Sequence, residues 1–269
     1  MSGRLSAQAL SELALTLSER DRRVLELAYE LRLVCARHVE GLIFTDGSPL
    51  TQARRTRLAL ARLTNLGVLA RLERRIGGVR AGSSGYVYRL SYAGRRLLGL
   101  RSEAGWREPG LAYVDHTLAA ADLHLRLTAA IPTGQLEGFD LEHEPSAWRR
   151  FTGLGGDQQW LKPDLFARIL TADFELFWFV EIDRGTEGTI SIRTKAEQYL
   201  AYWRTGAEQG RFGVFPRVAW VTPDSRRAEA IERAVAGLPP AAQALMVATT
   251  DQAAIHTLTN SNPPEGGDS

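Results

Sequence analysis

The chain has 269 residues and a formal net charge of +2, enough length for two ordinary domains, each with its own core. One cysteine, Cys35, excludes a disulfide framework, and with five histidines it gives no zinc spacing. The N-terminal segment lacks an apolar signal core and the most apolar run, Phe174 to Val180, is far too short for a bilayer, so the expected location is cytoplasmic. The near-neutral total hides an asymmetry. Residues 1–100 carry 17 arginines against 8 acids, a balance of +9, while residues 101–269 carry 16 basic residues against 23 acids, a balance of −7. A basic first half is the footprint of a polyanionic partner. The acidic second half fits a site that concentrates divalent cations.

In chain order, Ser18 with Glu19 and Asp21 forms an N-cap with acids in the first turn, and Val24, Leu25, Ala28 and Leu31 follow at helical spacing. A second short helix is predicted from Cys35 to Phe44, broken by Thr45-Asp46-Gly47-Ser48-Pro49. The third runs from Leu50 to Leu66 and ends at Gly67. Ala53, Thr56, Ala59, Leu60, Leu63 and Leu66 share its apolar side, so Arg54, Arg55 and Arg62 face the other way, with Arg57 at the flank. The period then changes to two: Val68 to Leu72 and Tyr86 to Leu90 read as strands. Between them lies a glycine-rich basic tip with Arg74, Arg75 and Arg80, which has no phosphate-loop spacing.

Three helices followed by such a hairpin resemble the winged helix-turn-helix fold, whose third helix enters the major groove while the wing meets the backbone or minor groove. Residues 1–98 are assigned to this domain. The DNA-binding candidates are Arg54, Arg55, Arg57, Arg62, Arg74, Arg75 and Arg80. Arginines also solvate helices in any Arg-rich chain, but helix, tip and charge asymmetry agree here.

Residues 99–110 read as a linker and 111–258 as a second domain, with 259–269 a disordered tail. A helix is expected over Leu111 to Ile131, with Pro132 as its stop and Leu118, Ala121, Leu125 and Thr128 buried. Strands follow at Leu136–Glu144, Asp164–Leu170 and Phe174–Asp183, the last nearly all apolar as a central strand should be. A helix over Gly188–Arg204 packs through Ile192, Ala196, Tyr199, Leu200 and Trp203. A strand at Arg217–Val221, a helix after Pro223, a strand at Leu245–Thr249 and a final short helix complete the pattern.

The chain has 31 arginines and only two lysines, Lys162 and Lys195, and both fall among acids: Lys162-Pro163-Asp164, Glu181-Ile182-Asp183, then Lys195. Lysine supplies a compact ammonium of adjustable pKa, which arginine does not. Glu181 and Asp183 are two apart on a strand and so share a face. Acids here also suit a turn and the following helix N-terminus, so Asp183 and Glu187 have a capping reading as well.

The order α-β-β-β-α-β resembles the restriction-endonuclease-like fold of the PD-(D/E)xK nucleases. That resemblance implies Mg²⁺ held by Asp164, Glu181 and the Ile182 carbonyl, with Asp164, Glu181, Asp183 and Lys195 as the catalytic candidates. One departure stands out: the superfamily's lysine position is occupied by Asp183, so the cation has to come from Lys195 on the next helix. Lys162, close to Asp164 in sequence, is the weaker candidate.

The winged helix, His116-Thr117-Leu118, Lys162-Pro163-Asp164, and Glu181-Ile182-Asp183-Arg184-Gly185-Thr186-Glu187 with Lys195 and Tyr199 together resemble the replication-relaxation family, over about Ser18 to Ile255. Those proteins are typical of plasmids and integrative elements of Gram-positive bacteria. The resemblance implies a DNA-binding protein acting in replication, DNA relaxation or mobilisation, with a nuclease-like domain that is intact or degenerate. Implied partners are double-stranded DNA, replication or mobilisation proteins, and a second copy of the chain, although no heptad marks a dimer helix. Two alternatives stay open at this point: a Mg²⁺-dependent DNA endonuclease, and a winged-helix transcriptional regulator.

Overall fold

A computed structural model describes residues 6–76, 85–100, 109–153 and 155–260, with the backbone alone for 73–76. The chain is a mixed α+β protein that divides into two compact units, Met1–Leu125 and Arg126–Ser269. The expected linker at 99–110 falls largely outside the described residues, and the division lies further on, within the helix expected to open the second domain.

The first unit begins with a helix that the sequence reading passed over, α1 (Ala7–Thr16), capped by Ser6. In α2 (Glu19–Glu30) the predicted cap is present: Ser18 Oγ accepts from Asp21 N, and Ser18 N donates to Asp21 Oδ2 at 2.9 Å. The short strand β1 (Val34–Cys35) leads into α3 (Ala36–Ile43). Pro49 opens α4 (Pro49–Asn65) behind the Ser48 cap. Gly67, at φ 71°, closes α4: its N–H reaches the Thr64 carbonyl and Val68 N–H the Leu63 carbonyl, the paired bonds that a left-handed residue makes possible after a helix.

The chain then forms β2 (Leu69–Ile76), β3 (Gly85–Leu90) and α5 (Tyr92–Leu97). β2 and β3 pair antiparallel and β1 adds to β3, giving the order β1-β3-β2. Val24, Leu25, Ala28, Val39, Leu60, Leu63 and Leu69 form the core of this unit. In α6 (Leu111–Ala130), Ala121 joins that core, while Val114 and Leu118 pack with Leu33, Leu72 and Val87. Those contacts place the first part of α6 with the first unit. Pro132 stops the helix as expected, through a 3₁₀ turn over Ile131–Thr133.

The second unit is built on a five-stranded sheet. After β4 (Gly138–His143) comes a hairpin of β5 (Arg149–Thr152) and β6 (Gln158–Leu161), which the sequence reading did not anticipate. Then follow β7 (Leu165–Leu170), β8 (Glu175–Ile182), α7 (Thr189–Trp203) and the short α8 (Ala207–Phe212). The chain continues with β9 (Arg217–Thr222), α9 (Ser225–Val235), α10 (Pro240–Gln243), β10 (Met246–Thr250) and α11 (Ala254–Thr259). The sheet order is β10-β9-β8-β7-β4, antiparallel across β4, β7 and β8 and parallel across β8, β9 and β10. A crossover helix is required where the pairing turns parallel, and α7 supplies it between β8 and β9.

β8 is central, as its apolar run demands, but only its second half is fully buried: Trp178 to Ile182 are covered while Leu176 and Phe177 are half-buried. The packing face expected for α7 is observed at Ile192, Ala196, Tyr199 and Leu200, with Tyr202 buried and Trp203 half-buried. These residues meet Phe166, Phe179, Val218 and Trp220 in the core. The expected tail lies outside the described residues beyond Asn260.

Candidate functional site

The acids at the end of β8 are positioned by strand register. Leu165 pairs with Val180, so one further step of the antiparallel ladder brings Asp164 across from Glu181. Asp164 Oδ2 accepts from Ile182 N–H at 2.7 Å, fixing the first carboxylate against the strand that carries the second. Proline at 163 keeps the entry to β7 extended.

Glu181 is buried, at 4 % exposure. Its two oxygens are taken by two residues of α7 spaced four apart and therefore on one helix face. Lys195 Nζ donates to Oε2 at 2.5 Å and Tyr199 Oη to Oε1 at 2.5 Å. Lys195 also donates to the main-chain carbonyl of Lys162 at 3.2 Å. The migrated amine expected from sequence thus meets Glu181. Lys162 itself turns elsewhere, its ammonium 4.7 Å from the ring centre of Trp148.

Burial dominates the titration of Glu181 and pushes it up to about 8, with Asp164 adding to the rise against the opposing Lys195 and Tyr199. At Lys195 burial works against the charge, but Glu181 and Asp164 outweigh it and hold the ammonium above its ordinary value. Two acids around one amine keep that amine charged. Tyr199 is raised far above the usual phenol range, first by burial and then by Glu181.

Asp183 does not join this group. Although it is two residues from Glu181, it lies beyond the end of β8, where Arg227 of α9 grips both its oxygens at 2.7 and 2.6 Å. Gly185 N–H donates to the same carboxylate at 2.7 Å, and Arg227 also reaches the Glu187 carbonyl. The capping reading of Asp183 therefore describes its contacts. Those contacts engage both of its oxygens, as Lys195 and Tyr199 engage both oxygens of Glu181, but from a different element and at a separate point.

Two carboxylates, Asp164 and Glu181, with the neighbouring Ile182 carbonyl make a hard oxygen donor set of the kind Mg²⁺ takes, the remaining positions being water. The donor chemistry fits, with a lysine ammonium at its edge.

In the first unit, α4 exposes Arg54, Arg55, Arg57 and Arg62. Two of them are already engaged. Arg55 pairs with Asp46 at 2.7 Å, beside Arg20, and Arg62 pairs with the buried Asp21 of the α2 cap. Arg54 and Arg57 make no ion pair among the described residues. Of the tip candidates, Arg80 lies outside the described residues and only the backbone of Arg74 and Arg75 is described.

Two polar networks escaped the sequence reading. In the second unit Arg149 donates to Glu208 at 2.9 Å, Tyr202 Oη to the same oxygen at 2.7 Å, and Arg149 stands over Phe166. In the first, Cys35 N–H donates to His38 Nδ1 at 3.2 Å and His38 Nε2 lies 2.9 Å from Asp122, which Arg37 grips with two bonds. Asp122 is held down to about 2, because His38 and Arg37 outweigh the upward push of burial. Cys35 at the cap and His38 three residues later was the available signal; Asp122, 84 positions further on, carried none.

Among the described residues no helix is long and apolar enough to cross a membrane. No curated protein and no solved structure matches the chain. The replication-relaxation family matches residues 25–218, which takes in α4, both acids and Lys195. The chain belongs to the replication-relaxation family.

Proposed function

We propose that this is a DNA-binding protein of a plasmid or integrative element, acting in its replication, relaxation or mobilisation. In this reading the first unit is a winged helix that docks duplex DNA, and the second is a restriction-endonuclease-like core that cleaves a phosphodiester bond with Mg²⁺. The observation that carries it is the meeting of Asp164, Glu181 and Lys195 at one end of β8. The element order β4, β7, β8, α7, β9, with a hairpin inserted after β4, supports the same reading.

Asp164, Glu181 and the Ile182 carbonyl are the residues that would hold the ion. When bound, Mg²⁺ supplies a water of lowered pKa and charge for the phosphate oxygens. Asp164, fixed by Ile182 N–H, keeps one ligand oriented before substrate arrives. Tyr199 anchors the buried oxygen of Glu181, leaving Oε2 as the exchangeable one. Lys195 keeps its Lys162 anchor when Oε2 turns away, so its charge remains beside the position of an incoming phosphate. Asp183 and Arg227 shape the turn after β8 and take no part in the chemistry.

The test is incubation of supercoiled and linear DNA with the full chain in Mg²⁺ or Mn²⁺. We expect cleavage that is abolished by Asp164→Asn and by Lys195→Met, with duplex binding retained in both. Cleavage that survives Asp164→Ala overturns the site.

A second reading has one observation in its favour. Both oxygens of Glu181 are satisfied by Lys195 and Tyr199, an arrangement that a core without metal chemistry can keep as a structural ion pair. Binding of DNA at a defined site with no cleavage in either metal selects that reading.

A further inference from the structure

The outward crown of α4 combines two chemistries. At 100° per residue, Leu50, Arg54, Arg57, Leu58, Ala61 and Asn65 fall within a stripe of about 100°. That stripe lies opposite the buried Thr56, Ala59, Leu60 and Leu63, and all six of its residues are exposed. Leu50 is 85 % and Leu58 60 % exposed. Arg55 and Arg62, the two arginines committed to Asp46 and Asp21, lie at its flank. Arg54, which makes no ion pair among the described residues, is therefore near the centre of the stripe between Leu50 and Leu58, and Arg57, likewise without one, lies at its edge.

A surface that only coats phosphates gains from cations and gains nothing from leucines standing in water. A second copy of the chain is disfavoured as the occupant, because a two-fold would bring Arg54 and Arg57 against their own equivalents. The major groove of duplex DNA presents the complementary pattern: paired acceptors on guanine for a guanidinium, and the thymine 5-methyl for an apolar side chain. RNA offers neither the methyl nor a major groove wide enough for a helix. Leu50 and Leu58 are about 12 Å apart along the axis, or about three to four base-pair steps, with Arg54 midway.

We infer that this crown reads thymine methyl groups flanking guanine in duplex DNA, with Leu50 and Leu58 contacting the methyls and Arg54 and Arg57 the guanine edge. The inference rests on the duplex-docking reading above and adds what is read.

The experiment selects bound duplexes from a random pool with the full chain, then measures affinity for the selected duplex with thymine or with uracil in each position. We expect thymine enriched beside guanine, and about fourfold weaker binding for each contacted methyl removed. The Leu50→Ala, Leu58→Ala double variant, altered only at exposed positions, should bind the uracil duplex as the parent does and lose the preference for thymine. Equal affinity for thymine and uracil duplexes overturns the inference while duplex docking stands. Failure to retain any duplex at low salt overturns the docking reading itself. A double variant that sediments as a smaller species than the parent assigns the crown to a second copy and overturns the inference.

Discussion

Helix α4 of the first unit and the sheet end of the second use charge in opposite ways. On α4 the charged residues stand on the surface: Arg54 and Arg57 face solvent with no ion pair among the described residues, and the paired Arg55 and Arg62 lie at the flank. In the second unit, the ionisable groups that matter turn inward. Glu181, Asp183 and Glu208 are each less than a tenth exposed and each meets a cation from another element. An outward cation costs little to leave unpaired and remains available for a polyanion. A buried acid is costly unless paired, so its partner is part of the fold.

The sharpest way to break this comparison is to remove an inward acid. Glu181→Ala leaves Lys195 and Tyr199 facing a void and should destabilise the second unit by about 3 kcal/mol in chemical denaturation, the cost of stripping one partner from a buried pair. A loss below about 1 kcal/mol would show that solvent already reaches the amine. Asp183→Ala should cost about 2 kcal/mol by freeing Arg227, yet leave Mg²⁺-dependent cleavage in place. If it abolishes cleavage at unchanged stability, Asp183 belongs to the chemistry after all.

On the outward side, Arg54→Ala or Arg57→Ala should weaken selected-duplex binding by about 1–3 kcal/mol with the melting temperature unchanged. Arg55→Ala, removing an exposed ion pair, should change stability by less than about 1 kcal/mol. Equal binding losses at Arg54 and Arg55 would erase the distinction between crown and flank.

The remaining effect concerns pH. His38 is raised above 6.5, since Asp122 and Cys35 outweigh the downward push of its burial. Its contribution is therefore full below pH 6.5 and is lost as pH rises through the folded value. Asp122, at about 2 against 3.8 when unfolded, contributes above about pH 3.8 and loses that as pH falls towards 2. Thermal melting of the parent should peak between those limits, and Asp122→Asn should flatten the profile.

The legible parts were those with local periodicity. The Ser18 cap, the apolar side of α4, the Gly67 stop and the packing face of α7 follow from spacings within one element. The meeting of Lys195 with Glu181 was also foreseeable, because a lysine in so arginine-rich a chain marks a position with a special demand. The contacts that were not legible had longer range. Asp183 has the right spacing to share a site with Glu181, but it falls just past the strand's end, and its partner Arg227 is 44 residues away. The β5–β6 hairpin was hidden because its strands are four residues each, shorter than the alternation needed to recognise them. α1 lay in a stretch read only for what it lacked, although Ser6 and the leucines after it gave a signal.

Lys195 has two anchors of different kinds, a side-chain oxygen of Glu181 and the main-chain oxygen of Lys162. Losing the first therefore leaves the amine one hydrogen bond, to a main-chain oxygen that no side-chain substitution removes. The backbone ahead of Asp164 thus shares with Glu181 the task of placing the only ammonium at this end of β8 among the described residues.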